Sequence, residues 1–182
     1  MYCPEAEHYG SSNKDQGSFA SHTIVREMFV VKIPDGIAME NAGPFMCGGS
    51  TVFEPLLRYG VQAMDRVGIV GIGGLGHLAI QFAAKLGCEV VVFSGSEDKR
   101  EEAKQLGATE FYSMKGKKAG EVDIGKQIKH LLLCSSAQPD WSVYVLLVPV
   151  LNQNLTHLTQ IHSLPCSPLH NIPLDSGRQT PC

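Results

Sequence analysis

The sequence predicts an α/β fold built on a doubly wound parallel sheet. Three observations predict it. A glycine-rich turn lies between an apolar strand and an apolar helix, a Val-rich strand follows at the spacing of a crossover, and strand and helix signals keep alternating beyond it.

The elements follow in order along the 182 residues. Residues 1–42 start polar and then turn strand-like. Thr23-Ile24-Val25 and Met28-Phe29-Val30-Val31-Lys32-Ile33 are β-branched and aromatic runs, closed by the turn signal Pro34-Asp35-Gly36, and predict two short strands of a β-rich unit. Residues 43–147 carry the alternation. Thr51–Tyr59 reads as a helix, Arg66–Val70 as a short apolar strand, and Leu75–Leu86 as a helix apolar on nearly all sides with Gly87 as its cap. Glu89–Phe93 reads as a strand buried on both faces and Asp98–Leu106 as a charged surface helix. Thr109–Tyr112 is a third strand, Val122–Lys129 a helix and His130–Cys134 a fourth strand. Residues 148–182 are expected to form a divergent, disordered tail. From Trp141 to Leu174 there is no Asp, Glu, Lys or Arg, and no convincing strand signal continues the sheet.

Composition excludes several classes. A net charge of -3 argues against a nucleic-acid binder, which needs a basic face. No apolar run reaches the length of a membrane-spanning helix. The start has neither a basic segment nor an apolar stretch, so no signal peptide is expected. The 6 cysteines include no CxxC pair, so reduced thiols and a cytoplasmic location are expected.

Gly71, Gly73 and Gly76 form a G-x-G-x-x-G fingerprint. The first glycine permits the tight turn off the strand. The second leaves the backbone open to a pyrophosphate, and the third lets helix and strand pack closely. The helix beyond offers unpaired N–H groups and a positive dipole end to phosphates. The bland alternative is a structural glycine turn; the preceding strand and following helix favour the nucleotide reading. A P-loop is excluded because no Gly-Lys-Ser/Thr ends the turn.

The next strand ends in Phe93-Ser94-Gly95-Ser96-Glu97-Asp98-Lys99-Arg100. An NAD site usually places an acid at this tip, where it binds the ribose hydroxyls and would repel a 2′-phosphate. Here Ser94 stands instead. Ser94 and Ser96 can donate hydrogen bonds and Lys99 or Arg100 can neutralise a phosphate, so NADP(H) is expected over NAD(H). The missing acid also weakens a methyltransferase reading. In structural terms Ser96 would be a helix N-cap, followed by acids suited to the helix start.

On these residues the chain resembles the zinc-containing medium-chain alcohol dehydrogenases. It is most similar to the cinnamyl alcohol dehydrogenase branch, which includes fungal NADP-dependent alcohol dehydrogenases. Gly71-Ile72-Gly73-Gly74-Leu75-Gly76-His77-Leu78-Ala79-Ile80-Gln81 is similar to the family's cofactor turn. Cys47-Gly48-Gly49-Ser50-Thr51-Val52 matches a more specific motif and Leu106-Gly107-Ala108 a third. The resemblance runs from about Tyr2 to Leu147.

The resemblance implies a partial Rossmann domain at 43–147 and a remnant of a β-rich GroES-like catalytic domain at 1–42. It implies Cys47 as a ligand of catalytic zinc, Thr51 beside the nicotinamide, and Cys3 as one ligand of a structural zinc. Gly71 to Gly76, with Ile72, Gly74 and Leu75, would hold the cofactor together with Ser94, Ser96 and Lys99. The implied activity interconverts primary alcohols and aldehydes with NADP(H) and zinc. The family's other zinc ligands and the later part of its cofactor domain have no counterpart here. A chain truncated at both ends, with little or no dehydrogenase activity, is therefore expected. The rival is a non-catalytic NADP(H)-binding module or an interaction partner of a full-length paralogue. A shortened sheet leaves a strand edge that invites association, a homo-oligomer included.

Overall fold

The computed structural model describes residues 17, 19–118, 120–135, 140–145, 147 and 158–160. The chain divides into two units, 1–42 and 43–182.

The first unit corrects the expectation of two strands. Residues 23–33 form no strand; a single 3₁₀ turn, Glu27–Phe29, interrupts them. Arg26 and Val30 on either side have extended backbone, but extended residues become a strand only when a neighbour completes their ladder. None of the described residues does so here. Ile24, Met28, Phe29, Val30 and Val31 are all exposed. The expected turn at Pro34 is present, closed by the Ile37 N–H donating to the Pro34 carbonyl at 3.0 Å.

The second unit is built on a parallel five-stranded sheet. Its strands are β1 (Arg66–Val70), β2 (Glu89–Ser94), β3 (Glu110–Ser113), β4 (His130–Leu133) and β5 (Leu158–Gln160), in the order β3-β2-β1-β4-β5. Every pairing is parallel: Val70 lies opposite Phe93 on one side and Leu133 on the other. The helices are α1 (Met39–Pro44), α2 (Ser50–Arg58), α3 (Gly74–Lys85), α4 (Arg100–Leu106) and α5 (Trp141–Val145), with a π-helical turn, Phe45–Gly49, before α2.

The period-two rule explains the core. Val67, Ile69, Val90, Val92 and Leu132 point to one face of the sheet, where Val52 and Leu56 of α2, Ala79, Ile80 and Ala83 of α3 and Ala103 of α4 cover them. Val70, Val91, Phe93, Leu131 and Leu133 point to the other, under Ile124, Ile128, Val143, Tyr144 and Leu147. Both faces are dry, which is why β1, β2 and β4 read as continuous apolar runs. Leu56 and Ile80 are each fully buried, worth about 1.5–3 kcal/mol apiece in transfer free energy.

Two expectations fail in this unit. Residues 122–129 form no helix. Gly125 sits at φ +65 and its N–H donates to the Asp123 carboxylate at 2.8 Å, a local turn that competes with helical hydrogen bonding. Ile124 and Ile128 are buried all the same. Beyond residue 140, the short helix α5 packs Val143 and Tyr144 into the core. Finally, Leu158–Gln160, inside the segment expected to be disordered, forms β5 beside β4. The remainder of the expected tail lies outside the described residues.

The start of the sheet is held by charge. Arg66, 6% exposed, pairs through Nη1 with Glu89 of β2 and through Nη2 with Glu110 of β3 at 2.9 Å; Nη2 also donates to the Ile124 carbonyl at 2.9 Å. The Tyr112 hydroxyl donates to the same Glu110 carboxylate at 2.6 Å. One guanidinium thus ties together the leading ends of three strands.

Candidate functional site

The opposite end of the sheet carries the glycine turn. Gly71 leaves β1 at φ +92, a backbone region that L-side chains rarely adopt, and its N–H donates to the Phe93 carbonyl at 2.8 Å. Ile72 is buried and anchors the turn. Gly73 stands at the start of α3 with no side-chain cap, and nothing lies within 4 Å of where its Cβ would be. The first intrahelical bond runs from the His77 N–H to the Gly73 carbonyl at 2.8 Å. The amides ahead of His77 have no such partner by helix geometry, and they form the electropositive end of α3. Gly76 is where helix and strand meet: a Cβ there would lie 1.9 Å from the Gly71 carbonyl oxygen.

The second wall comes from the tip of β2. Ser94 is buried, and its Oγ accepts the Ser96 N–H at 3.3 Å. Lys99 reaches across to the turn, its Nζ donating to the Ile72 carbonyl at 2.8 Å. Together these groups line an open cavity of about 380 Å³, completed by Gly95, Cys134 and Ser135. An adjoining cavity of about 250 Å³ shares Gly71, Gly95 and Ser135 and runs on to Phe93, Met114, Lys115 and Tyr144.

The sequence-derived residues are not all gathered here. Gly71, Ile72, Gly73, Ser94, Ser96 and Lys99 line the one cavity, while Gly74, Leu75 and Gly76 form the first turn of the adjacent helix. Arg100 stands apart from the lining. It is paired with Glu97, donates to the Phe111 carbonyl at 3.1 Å and lies over the Phe111 ring at 4.7 Å. Nor is Ser96 the cap of α4, which begins at Arg100 after Lys99. The Ser96 hydroxyl, ahead of the nearby Lys99 and Lys115 charges, holds the exposed Asp98 carboxyl below its ordinary range.

Cys47 is an exposed free thiol in the π-helical turn, and Thr51 is half-buried in α2. The turn leans on α3, since a Cβ at Gly48 would sit 3.4 Å from the Leu78 side chain. Neither Cys47 nor Thr51 lines the two cavities. Among the described residues, no group of three or more His, Cys, Asp or Glu side chains could hold a metal ion. The described residues therefore do not assemble a zinc site. Cys3 lies outside them.

Sequence reasoning missed Cys134 and Ser135. Their signal is topological: they directly follow β4, which flanks β1 on the side away from β2, and ligands of such sheets sit at that change of direction. Burial pushes the Cys134 thiol up to about 12, so it is neutral near pH 7.

Strand order and glycine turn are together those of a Rossmann-like α/β fold. The family described as "Zinc-binding dehydrogenase" matches residues 74–149. Cinnamyl alcohol dehydrogenase 5 of Arabidopsis thaliana is 44% identical over 118 residues, 61% of this chain and 33% of that protein. The probable formaldehyde dehydrogenase AdhA of Bacillus subtilis is 46% identical over 101 residues, 56% of this chain and 29% of that protein. Among solved structures, a cinnamyl alcohol dehydrogenase from Sorghum bicolor superposes with a TM-score of 0.58 at 33% identity, over 70% of this chain and 36% of that one. A Helicobacter pylori enzyme of the same kind, complexed with NADP(H), gives 0.54 at 29% identity, over 63% and 31%. Over these stretches the chain is similar to zinc-type medium-chain alcohol dehydrogenases, and it spans about a third of the length of the relatives it matches.

Proposed function

We propose that the second unit binds NADP(H), and that the protein is an NADP(H)-dependent, zinc-type oxidoreductase interconverting primary alcohols and aldehydes. The observation that carries this reading is the tip of β2. Ser94 stands where an NAD site needs an acid, and Ser96 and Lys99 line the same cavity as the glycine turn. Gly73 leaves the backbone open to the pyrophosphate, the α3 amides face it, and Ser94, Ser96 and Lys99 take the 2′-phosphate. Bound there, the dinucleotide supplies or accepts the hydride. The names of the relatives support alcohol or aldehyde chemistry, and the complex of the Helicobacter pylori enzyme supports NADP(H).

On this reading residues 43–147 are the cofactor domain and 1–42 belong to a GroES-like catalytic domain. Cys47 and Cys3 are then contributions to catalytic and structural zinc, and Thr51 approaches the nicotinamide. Because the described residues do not make up a zinc site, no step is assigned to the metal. The proposed substrates are small alcohols and aldehydes, and the proposed location is the cytoplasm. No helix among the described residues is long and apolar enough to cross a membrane.

That no metal-binding group occurs among the described residues favours a second reading for this chain by itself, a non-catalytic NADP(H)-binding module. Metal analysis with an aldehyde-reduction assay separates the two. Stoichiometric zinc with NADPH-dependent turnover supports the enzyme. Saturable NADPH binding without either supports the module. Absence of NADPH binding by a folded chain rejects both.

A further inference from the structure

The turn after β3 brings Lys115 and Lys117 to the edge of the site. The Met114 N–H donates to the Ser94 carbonyl at 2.7 Å, which ties the end of β3 to the tip of β2. The chain then folds back: Gly116 takes φ +73, and the Lys117 N–H donates to the Met114 carbonyl at 3.2 Å. Both lysines are exposed, and both line the cavity of about 250 Å³ that adjoins the one at the glycine turn. Gly95, between Ser94 and Ser96, lines that cavity as well as the one that Ser94, Ser96 and Lys99 line. The acid beside the lysines in their cavity is Asp140, whose carboxylate accepts from the Ser142 hydroxyl at 2.6 Å and from the Ser142 N–H at 3.0 Å. Among the described residues neither lysine enters an ion pair.

We propose that Lys115 and Lys117 are further specificity-determining residues: they supply a second cationic wall to the 2′-phosphate of NADP(H), from the cavity that meets that of Lys99 at Gly95. The proposal rests on the nucleotide-binding reading above. A phosphate monoester carries about −1.5 to −2 charges at pH 7. Ser94 and Ser96 bring no charge, and Arg100 is committed to Glu97 and to the Phe111 ring. Lys99 alone therefore leaves roughly one negative charge unmatched. Lys99 is anchored on the Ile72 carbonyl and seats the phosphate. The turn lysines carry their ammonium groups on flexible stems and close on a phosphate once it is seated. NADH has no phosphate at that point, so the turn lysines act on it only as distant charges.

Lys115→Gln with Lys117→Gln removes both charges and keeps polar, solvated side chains. Calorimetric titration of the full chain with NADPH and with NADH, at about 50 and about 500 mM NaCl, reads the effect. The double variant should weaken NADPH about tenfold at low salt, the scale of charge-assisted contacts to an exposed phosphate. NADH should weaken less than about twofold, and the difference between the two should shrink at high salt. Lys118→Gln is the control: it removes a charge from the next position, which is exposed and lines neither cavity, and should change either affinity less than about twofold. In a Lys99→Ala background, where the phosphate is no longer seated, the loss of NADPH affinity should fall to that seen with NADH. An unchanged NADPH affinity in the double variant, equal losses for both dinucleotides, or an equal loss from K118Q overturns the proposal while leaving the nucleotide site standing. No saturable binding of either dinucleotide to the unaltered chain overturns the nucleotide reading and this inference with it.

Discussion

Gly76→Ala tests the packing that builds the site. A Cβ at residue 76 would lie 1.9 Å from the Gly71 carbonyl oxygen and 2.9 Å from its carbon. The obstacle is backbone, so no rotamer change relieves it. Helix α3 must move off β1 by more than an ångström, loosening Ala79, Ile80 and Ala83 against the sheet. Overpacking against an unyielding wall belongs at the upper end of the usual range, about 3 kcal/mol. With a urea m-value of about 2 kcal/mol/M, the midpoint should fall by about 1.5 M. Gly73→Ala is the control. Its Cβ meets nothing within 4 Å and its φ of -100 is open to any residue, so stability should change by less than about 0.5 kcal/mol. Dinucleotide affinity should nevertheless drop at least tenfold, because the new methyl stands where a pyrophosphate approaches. Urea unfolding followed by circular dichroism, with NADPH titration of each variant, supplies the data. A G76A midpoint equal to that of the unaltered chain, or equal losses in both variants, would refute the reasoning.

Other expectations concern charge and thiols. Arg66→Met should destabilise the chain by about 2 kcal/mol in urea unfolding. This is less than the loss of a fully buried pair, because Glu89 and Glu110 stay partly exposed. For Glu110, burial alone would raise the carboxyl, but the Tyr112 hydroxyl and Arg66 outweigh it and hold the group below its ordinary value of 4.5. The folded value therefore lies below the unfolded one. The stabilisation is present above pH 4.5 and is lost as pH falls through the folded value, and Glu110→Gln should flatten that part of a stability–pH curve. In timed alkylation mapped by mass spectrometry, exposed Cys47 should react well before Cys134, which is buried with its thiol pushed up to about 12. Equal rates at the two cysteines would contradict the burial of the β4 tip.

How much of this was legible depends on where each residue finds its partners. Arg66–Val70 and Glu89–Ser94 could be read locally because both faces of the sheet are dry, which leaves unbroken apolar runs. The glycine turn was legible because its demands are on the local backbone: Gly71 takes a positive φ, and Gly76 lies against the Gly71 carbonyl five positions earlier. Arg66 was not, since its partners lie 23, 44 and 58 positions away. Residues 122–129 have helical spacing, but Asp123 and Gly125 close a turn that spacing does not reveal. Residues 23–33 have strand composition, but a strand exists only when a ladder partner completes it. At the site, Lys99 and Arg100 look interchangeable in sequence. Phe111, 11 positions beyond Arg100, separates them by taking Arg100 onto its ring and carbonyl.

On the proposed reading, the hydroxyls and the cation beside the glycine turn hold an extra phosphate. Titration calorimetry of the chain and its Lys99→Ala variant, each with NADPH and NADH, tests it most directly. Saturable binding, tighter for NADPH and equalised by the loss of Lys99, is the predicted result. A folded chain that binds the two dinucleotides equally, or that keeps its NADPH preference without Lys99, contradicts it.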